Sequence, residues 1–249
     1  MSLYDRLAAL HGQRPWGAFL DAGTGPASMR WLLKLPTSRW TAVTAAHDMA
    51  ERTAREIAQA ARCQDRLVHG NWMDADLLAG ERYDTVLADY LLGAIEGYAP
   101  YWQDQLFARL RPLVGGRLYV IGLNPYVHGR PEDPAGRLVN DIARLRDACF
   151  LLAGDQPYRE YPLEWTLRQL ERANLRVVDA EVMAISYRER FVHSQLDMCT
   201  QAITQLDSRG LAVRLQEEIA ELRQRALAYI AREGGLRHGH DYLIVAEPV

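Results

Sequence analysis

The sequence contains no stretch near the roughly 18 to 20 uninterrupted apolar residues that would span a bilayer. The segment Met1–Arg6 is polar where a secretory leader would be apolar, so neither membrane insertion nor export is expected. Cysteine is scarce. The three present, Cys63, Cys149 and Cys199, are odd in number and far apart, and none sits in a Cys-x-x-Cys or Cys/His spacing that would hold a metal. A reduced, cytoplasmic protein without a metal centre is the expectation. An excess of positive charge is also missing: 29 Lys+Arg against 32 Asp+Glu leave a net charge of -3, which argues against a nucleic-acid partner. Glycine and proline are not in excess, and there is no repeat or low-complexity tract, so a fibrous or disordered chain is excluded. What is present is 49% hydrophobic residues over 249 positions, enough to bury one sizeable core.

From Trp16 to Ile121, short apolar runs alternate with longer helical patterns, the signature of βαβ units and an α/β fold. Ala18–Asp21, Thr41–Thr44, Arg66–His69 and Tyr83–Ala88 read as strands one to four, and the run after Gly115-Gly116 as strand five. Helices are expected over 28–35, 49–62 and 101–110. A Pro/Gly-rich loop follows from Pro125, then a helical pattern in which Leu138, Ile142, Leu145, Cys149 and Leu152 share a face. Trp165–Ala173 reads as a helix and Leu175–Ile185 as strand six. Two amphipathic helices separated by Gly210 come next, and Tyr242–Ala246 closes the chain as a strand beside the sixth.

The strongest local signal is Asp21-Ala22-Gly23-Thr24-Gly25 at the end of an apolar strand. Glycines at a strand-to-helix turn let a ligand approach the backbone closely, and the helix that follows begins with unsatisfied N–H groups. On this reading, a side chain at Gly23 would take the ligand's space. A dinucleotide fingerprint would need a glycine where Ser28 stands, and a phosphate loop would need Gly-Lys-Ser/Thr; neither is met.

In this Asp-x-Gly-x-Gly motif the chain resembles the class I S-adenosylmethionine-dependent methyltransferases. Further matches follow in that family's order: His47-Asp48-Met49-Ala50 after strand two, Gly70-Asn71-Trp72-Met73-Asp74, Tyr83-Asp84-Thr85-Val86, and Leu110-Arg111-Pro112-Leu113-Val114-Gly115-Gly116-Arg117-Leu118. The resemblance implies a Rossmann-like, seven-stranded, mostly parallel sheet with helices on both faces and helical insertions after strands five and six. It implies one methyltransferase domain over 1–249, with a cofactor-binding core at 16–122, an insertion or lid at about 125–165 and a helical cover at about 190–235. The implied cofactor is S-adenosyl-L-methionine, leaving as S-adenosyl-L-homocysteine, held by Asp21, Gly23, Thr24, Gly25, Thr44, Asn71, Trp72 and Asp89. Thr44 and Asn71 depart from the family, which usually has acids at both positions; Trp72 reads as an adenine contact, with a core plug as the alternative.

Methyl transfer from a sulfonium needs mainly alignment and exclusion of water, so a catalytic base is optional. The catalytic candidates are Tyr90 and His128; Tyr90, Asn124, Tyr126, Arg159 and His193 are candidates for the substrate pocket. Each also has a plain structural reading, as a core aromatic or a surface loop residue. Glu96, Tyr98, Tyr101 and Trp102 read more simply as a packed helix face. The Asn/Asp-Pro-Pro-Tyr segment of enzymes that methylate amide or base nitrogens is replaced here by Asp89-Tyr90-Leu91-Leu92. Transfer to an oxygen or nitrogen of a small-molecule substrate is therefore the leading expectation. Methylation of a protein or RNA, and a cofactor-binding partner without catalysis, are the alternatives. The apolar stripes of the last helical pair are compatible with a homodimer.

Overall fold

The structure, a computed structural model, describes residues 2–249. Seven strands form one sheet: β1 (Ala18–Asp21), β2 (Arg39–Thr44), β3 (Arg66–His69), β4 (Tyr83–Asp89), β5 (Val114–Leu123), β6 (Leu175–Tyr187) and β7 (Leu236–Pro248). Their order is β3-β2-β1-β4-β5-β7-β6, and the pairings from β3 through β5 are all parallel. The closing strand thus lies beside the sixth, between it and β5. The α-helices are α1 (Leu3–His11), α2 (Pro26–Leu32), α3 (His47–Ile57), α4 (Leu91–Ala94), α5 (Leu106–Leu110), α6 (Pro134–Ala153), α7 (Leu163–Arg172), α8 (Glu189–Ala202) and α9 (Arg209–Glu233).

The chain divides into two compact units. The first comprises residues up to Leu123 together with Glu160–Val182 and Tyr242–Val249; the second comprises Asn124–Arg159 and Met183–Asp241. In the first unit the central strands are buried on both faces, as parallel strands sandwiched by helices must be. Alternate residues therefore serve two layers. Leu20, Val86, Leu118 and Val120 join one core with Leu106, Phe107 and Leu170. Phe19, Leu87 and Tyr119 point the opposite way, and Trp31 of α2 meets Phe19 edge-on at 6.1 Å between ring centres. His11 of α1 is stacked on Trp16 and hydrogen-bonded through Nδ1 to the Tyr119 hydroxyl at 2.8 Å. In the second unit α6, α8 and α9 pack around Val139, Ile142, Cys149, Leu196, Cys199, Ile219 and Ala226.

Two local expectations are revised and one element is added. Residues 101–110 do not make one helix: a 3-10 turn at Gln103–Gln105 and the short α5 take that place, and Tyr101 sits at a left-handed φ of 65° that a continuous helix cannot contain. The break between α8 and α9 lies ahead of Gly210, because Ser208 caps α9 by accepting from the Leu211 N–H at 3.3 Å. At the N-terminus, α1 is a helix the apolar periodicity did not announce. It starts with a reciprocal capping box, Asp5 N–H to Ser2 Oγ at 3.1 Å and Ser2 N–H to Asp5 Oδ2 at 2.9 Å.

Candidate functional site

The turn after β1 is fixed from three sides. The Ala22 N–H donates to Leu87 O of β4 at 2.8 Å, the Thr24 N–H to Val43 O of β2 at 2.8 Å, and the Trp72 indole N–H to Ala22 O at 2.7 Å. Trp72 is 4% exposed, so the structure uses it to brace this turn from beneath. The two glycines differ. A Cβ on Gly23 would stand 2.9 Å from Leu91 Cδ1, so its smallness serves packing against α4; a Cβ on Gly25 would meet nothing within 4 Å. The open side of the turn is at Gly25.

Asp21 ends β1 fully buried. Ser28, the residue in place of a third glycine, donates its hydroxyl to Asp21 Oδ2 at 2.7 Å, while Asp21 Oδ1 has no hydrogen-bond partner. Asp21 pairs with Leu87 across the parallel ladder, so Asp89, two residues further along β4, lies on the same sheet face next to it. Asp89 Oδ2 accepts from the Tyr4 hydroxyl at 2.6 Å, and Asp89 Oδ1 is also buried and unpartnered. Burial is the main cause that pushes the Asp21 carboxyl up to about 7, with the nearby Asp89 adding to it and the Ser28 hydrogen bond opposing it. Burial likewise raises Asp89 to about 6 against the Tyr4 bond. The Tyr4 hydroxyl is itself raised, by burial first and then by the charge of Asp89.

At the other side of the turn, Thr44 is 8% exposed and its Oγ1 accepts from the Ala46 N–H at 3.3 Å. Asn71 donates through Nδ2 to Tyr98 O at 2.8 Å and accepts from the Met73 N–H at 3.0 Å. Tyr90 follows β4 at a left-handed φ of 49° and begins α4, its N–H bonded to Ile121 O at 2.9 Å. A non-glycine residue held there stores strain of about 1 kcal/mol or more, the kind of backbone found at functional turns. Glu96 is buried and accepts from Gln103 Nε2 at 2.6 Å and from the Tyr101 N–H at 3.2 Å, so it ties its own loop together.

The remaining candidates belong to the second unit. The Asn124 N–H donates to His240 O at 2.9 Å, and Tyr126 meets the His238 ring edge-on at 6.0 Å. His128 lies in an exposed turn and Arg159 is exposed. His193 on α8 accepts from Arg223 Nη1 at 3.0 Å, which leaves its other ring nitrogen to carry the proton. A depression of about 320 Å³ on this unit is lined by Asp133, Tyr229, Glu233 and Arg237 and includes none of the candidates. Among the described residues no group of three or more metal-ligating side chains occurs, and no helix is long and apolar enough to cross a membrane.

Sequence reasoning missed Tyr4 and the bond from Ser28 to Asp21. The Ser2/Asp5 capping box signals a helix at the N-terminus, but no local pattern says that its tyrosine meets a residue 85 positions away.

No family model and no curated protein sequence matches the chain. Solved structures do. A candidate methyltransferase of Bacillus halodurans C-125 superimposes with a TM-score of 0.62 at 14% identity, over 100% of both chains. YcgJ of Bacillus subtilis gives 0.59 at 16% identity, over 98% of this chain and 97% of its own. The mycolic acid cyclopropane synthase CmaA1, solved with S-adenosylhomocysteine, gives 0.55 at 17% identity, over 99% and 86%. The fold is that of the class I S-adenosylmethionine-dependent methyltransferases.

Proposed function

We propose that the protein is an S-adenosylmethionine-dependent methyltransferase acting in the cytoplasm on an oxygen or nitrogen of a small metabolite. The observation that carries this reading is the turn Asp21–Gly25, braced on three sides, open at Gly25, and flanked by two buried carboxylates that each keep one oxygen unpartnered. Those oxygens suit the cationic amino-acid end of the cofactor, and the open space at Gly25 suits a ligand lying against the backbone. Thr44 keeps a hydroxyl proton to donate to the ribose; Asn71 keeps one amide hydrogen, its neighbour Trp72 supporting from below. The match of CmaA1, whose structure holds S-adenosylhomocysteine, supports the same cofactor.

When bound, S-adenosylmethionine supplies a methyl group on an already activated sulfonium leaving group. The residues of the chain need then only position the reactants and keep water out. Tyr90, set in its left-handed turn at the end of β4, is the residue proposed to face the acceptor. The near-balanced charge of -3 favours a small acceptor over a nucleic acid.

Calorimetry with S-adenosylhomocysteine tests the reading, and absence of binding at millimolar ligand sinks it. A Gly25→Leu variant sharpens the test. Gly25 has an extended backbone that leucine can adopt, and its Cβ direction is empty, so the variant should melt like the parent. Its side chain would fill the ligand's space and weaken binding by about 100-fold or more, the loss of more than 2.7 kcal/mol of affinity. Unchanged affinity would place the ligand elsewhere.

A further inference from the structure

Helix α1 is anchored to the first unit along its whole length. Leu7 is fully buried, the Arg6 guanidinium forms a two-point ion pair with Glu181, Arg117 Nη1 donates to Leu10 O at 3.0 Å, and His11 is bonded to Tyr119. One residue of this helix reaches the cofactor turn. The Tyr4 ring lies stacked on Trp31 of α2, 5.1 Å between centres, and its hydroxyl donates to Asp89 Oδ2. The bond occupies one oxygen of Asp89 and leaves Oδ1 bare, on the same sheet face as the bare Oδ1 of Asp21. Uncompensated buried carboxylate oxygens are costly, and two of them on one sheet face, the charge of one felt by the other, favour either protonation or a cationic group from a ligand.

We infer that Tyr4 is a positioning residue of the cofactor site: its hydroxyl fixes the Asp89 carboxylate beside Asp21 so that the two bare oxygens together receive the ammonium group of the bound amino-acid moiety. This rests on the S-adenosylmethionine reading above. Below about pH 7 the ammonium replaces protons that the two acids hold in its absence. The charged groups that set this balance are Asp21 on β1, Asp89 on β4, Tyr4 on α1 and, acting on Tyr4 from a distance, Arg30 on α2; the uncharged Ser28 and Thr24 hydroxyls and the Gly23 N–H favour the ionised form of Asp21. Tyr4 favours the ionised form of Asp89 by donating to it. Without the donor Asp89 holds its proton to higher pH, and the ammonium has to displace it.

The test is calorimetry of S-adenosylhomocysteine on the whole chain and on Tyr4→Phe across pH, with melting of each protein recorded alongside. Phenylalanine keeps the ring on Trp31 and removes the donor alone. The expected result is parent-like melting, affinity reduced about 10-fold near pH 6 and less than about threefold near pH 8.5, because loss of one charge-assisted bond matters only where Asp89 is protonated. In an Asp89→Asn background the Tyr4→Phe change should have no further effect on affinity. Equal affinity and an identical pH profile for Tyr4→Phe and the parent overturn the inference, and so does a loss of the same size at every pH, which is what a purely structural role gives. If the parent itself binds no S-adenosylhomocysteine, the cofactor reading fails and this inference with it.

Discussion

On the Asp21 side of the turn after β1, polar groups have been buried and left short of partners; on the Thr44 and Asn71 side, they have been spent on the chain itself. Asp21 and Asp89 each keep a bare oxygen, whereas Thr44 Oγ1 caps Ala46 and Asn71 bridges Tyr98 and Met73. An unpartnered buried carboxylate is a standing cost, tolerated where a ligand removes it. A side chain already bonded at both ends stabilises the loop whether or not a ligand comes. On the proposed reading, this contrast concentrates recognition in the carboxylate pair and leaves the opposite side to contribute shape.

The change expected to break this contrast most severely is Asp21→Asn. It removes the charge that a cationic nitrogen needs while preserving size and the acceptor for Ser28, and S-adenosylhomocysteine binding near pH 8 should fall about 100-fold, the upper range for a hydrogen bond to a charged group. Calorimetry measures it; a loss below threefold would deny Asp21 any direct part. The same variant tests stability against pH. Both acids are raised by folding, to about 7 and about 6, so the native chain binds protons that the unfolded chain has already released near pH 4. Their contribution to stability is full below the unfolded value and is lost as pH rises through about 6 to 7. The melting temperature of the ligand-free protein should accordingly fall over that interval, and Asp21→Asn should flatten the fall. A slope identical to the parent's would show that other groups control it.

Much of this side is legible in the sequence. The Asp-x-Gly-x-Gly spacing at the end of an apolar strand gave Asp21 and the turn, because strand, turn and helix start are all local features. Asp89 was named as well, from the family resemblance, but not as the neighbour of Asp21: it is brought onto the same face only by the register of β1 on β4, a long-range fact. Tyr4 was invisible for the same reason, lying on a short helix with a weak apolar stripe whose position depends on Trp31 and Asp89. Gly23 shows the opposite error. Its place in the motif was read as ligand space, whereas the structure fills that space with Leu91 and assigns the openness to Gly25.

A smaller effect on binding is expected at Trp72, and it separates bracing from contact. Trp72→Phe keeps a ring in the core but deprives Ala22 O of its donor, leaving a buried carbonyl unsatisfied. The cost to unfolding free energy should be about 1–3 kcal/mol, read by denaturant titration. Affinity for S-adenosylhomocysteine should fall by no more than about fivefold, since the turn is still held by its bonds to Leu87 and Val43. A loss of affinity as large as that of Asp21→Asn, with little loss of stability, would instead make the indole a direct contact of the adenine.

The least effect belongs to Thr44. Replacement by valine preserves volume at a position 8% exposed and removes only the hydroxyl, whose one observed bond is a long one, 3.3 Å from the Ala46 N–H. Because threonine supplies no negative charge, the ribose can gain at most one neutral hydrogen bond here, from the hydroxyl proton that the bond with the Ala46 N–H leaves unused; it replaces a bond to water and is worth about 0.5 kcal/mol, the low end for such bonds. Binding of S-adenosylhomocysteine to Thr44→Val should therefore weaken by less than about threefold. Thr44→Asp gives the complementary measurement: a carboxylate at the end of β2 could accept from both ribose hydroxyls, so a gain in affinity would show that this side of the turn has the space to recognise ribose and lacks only the acceptor.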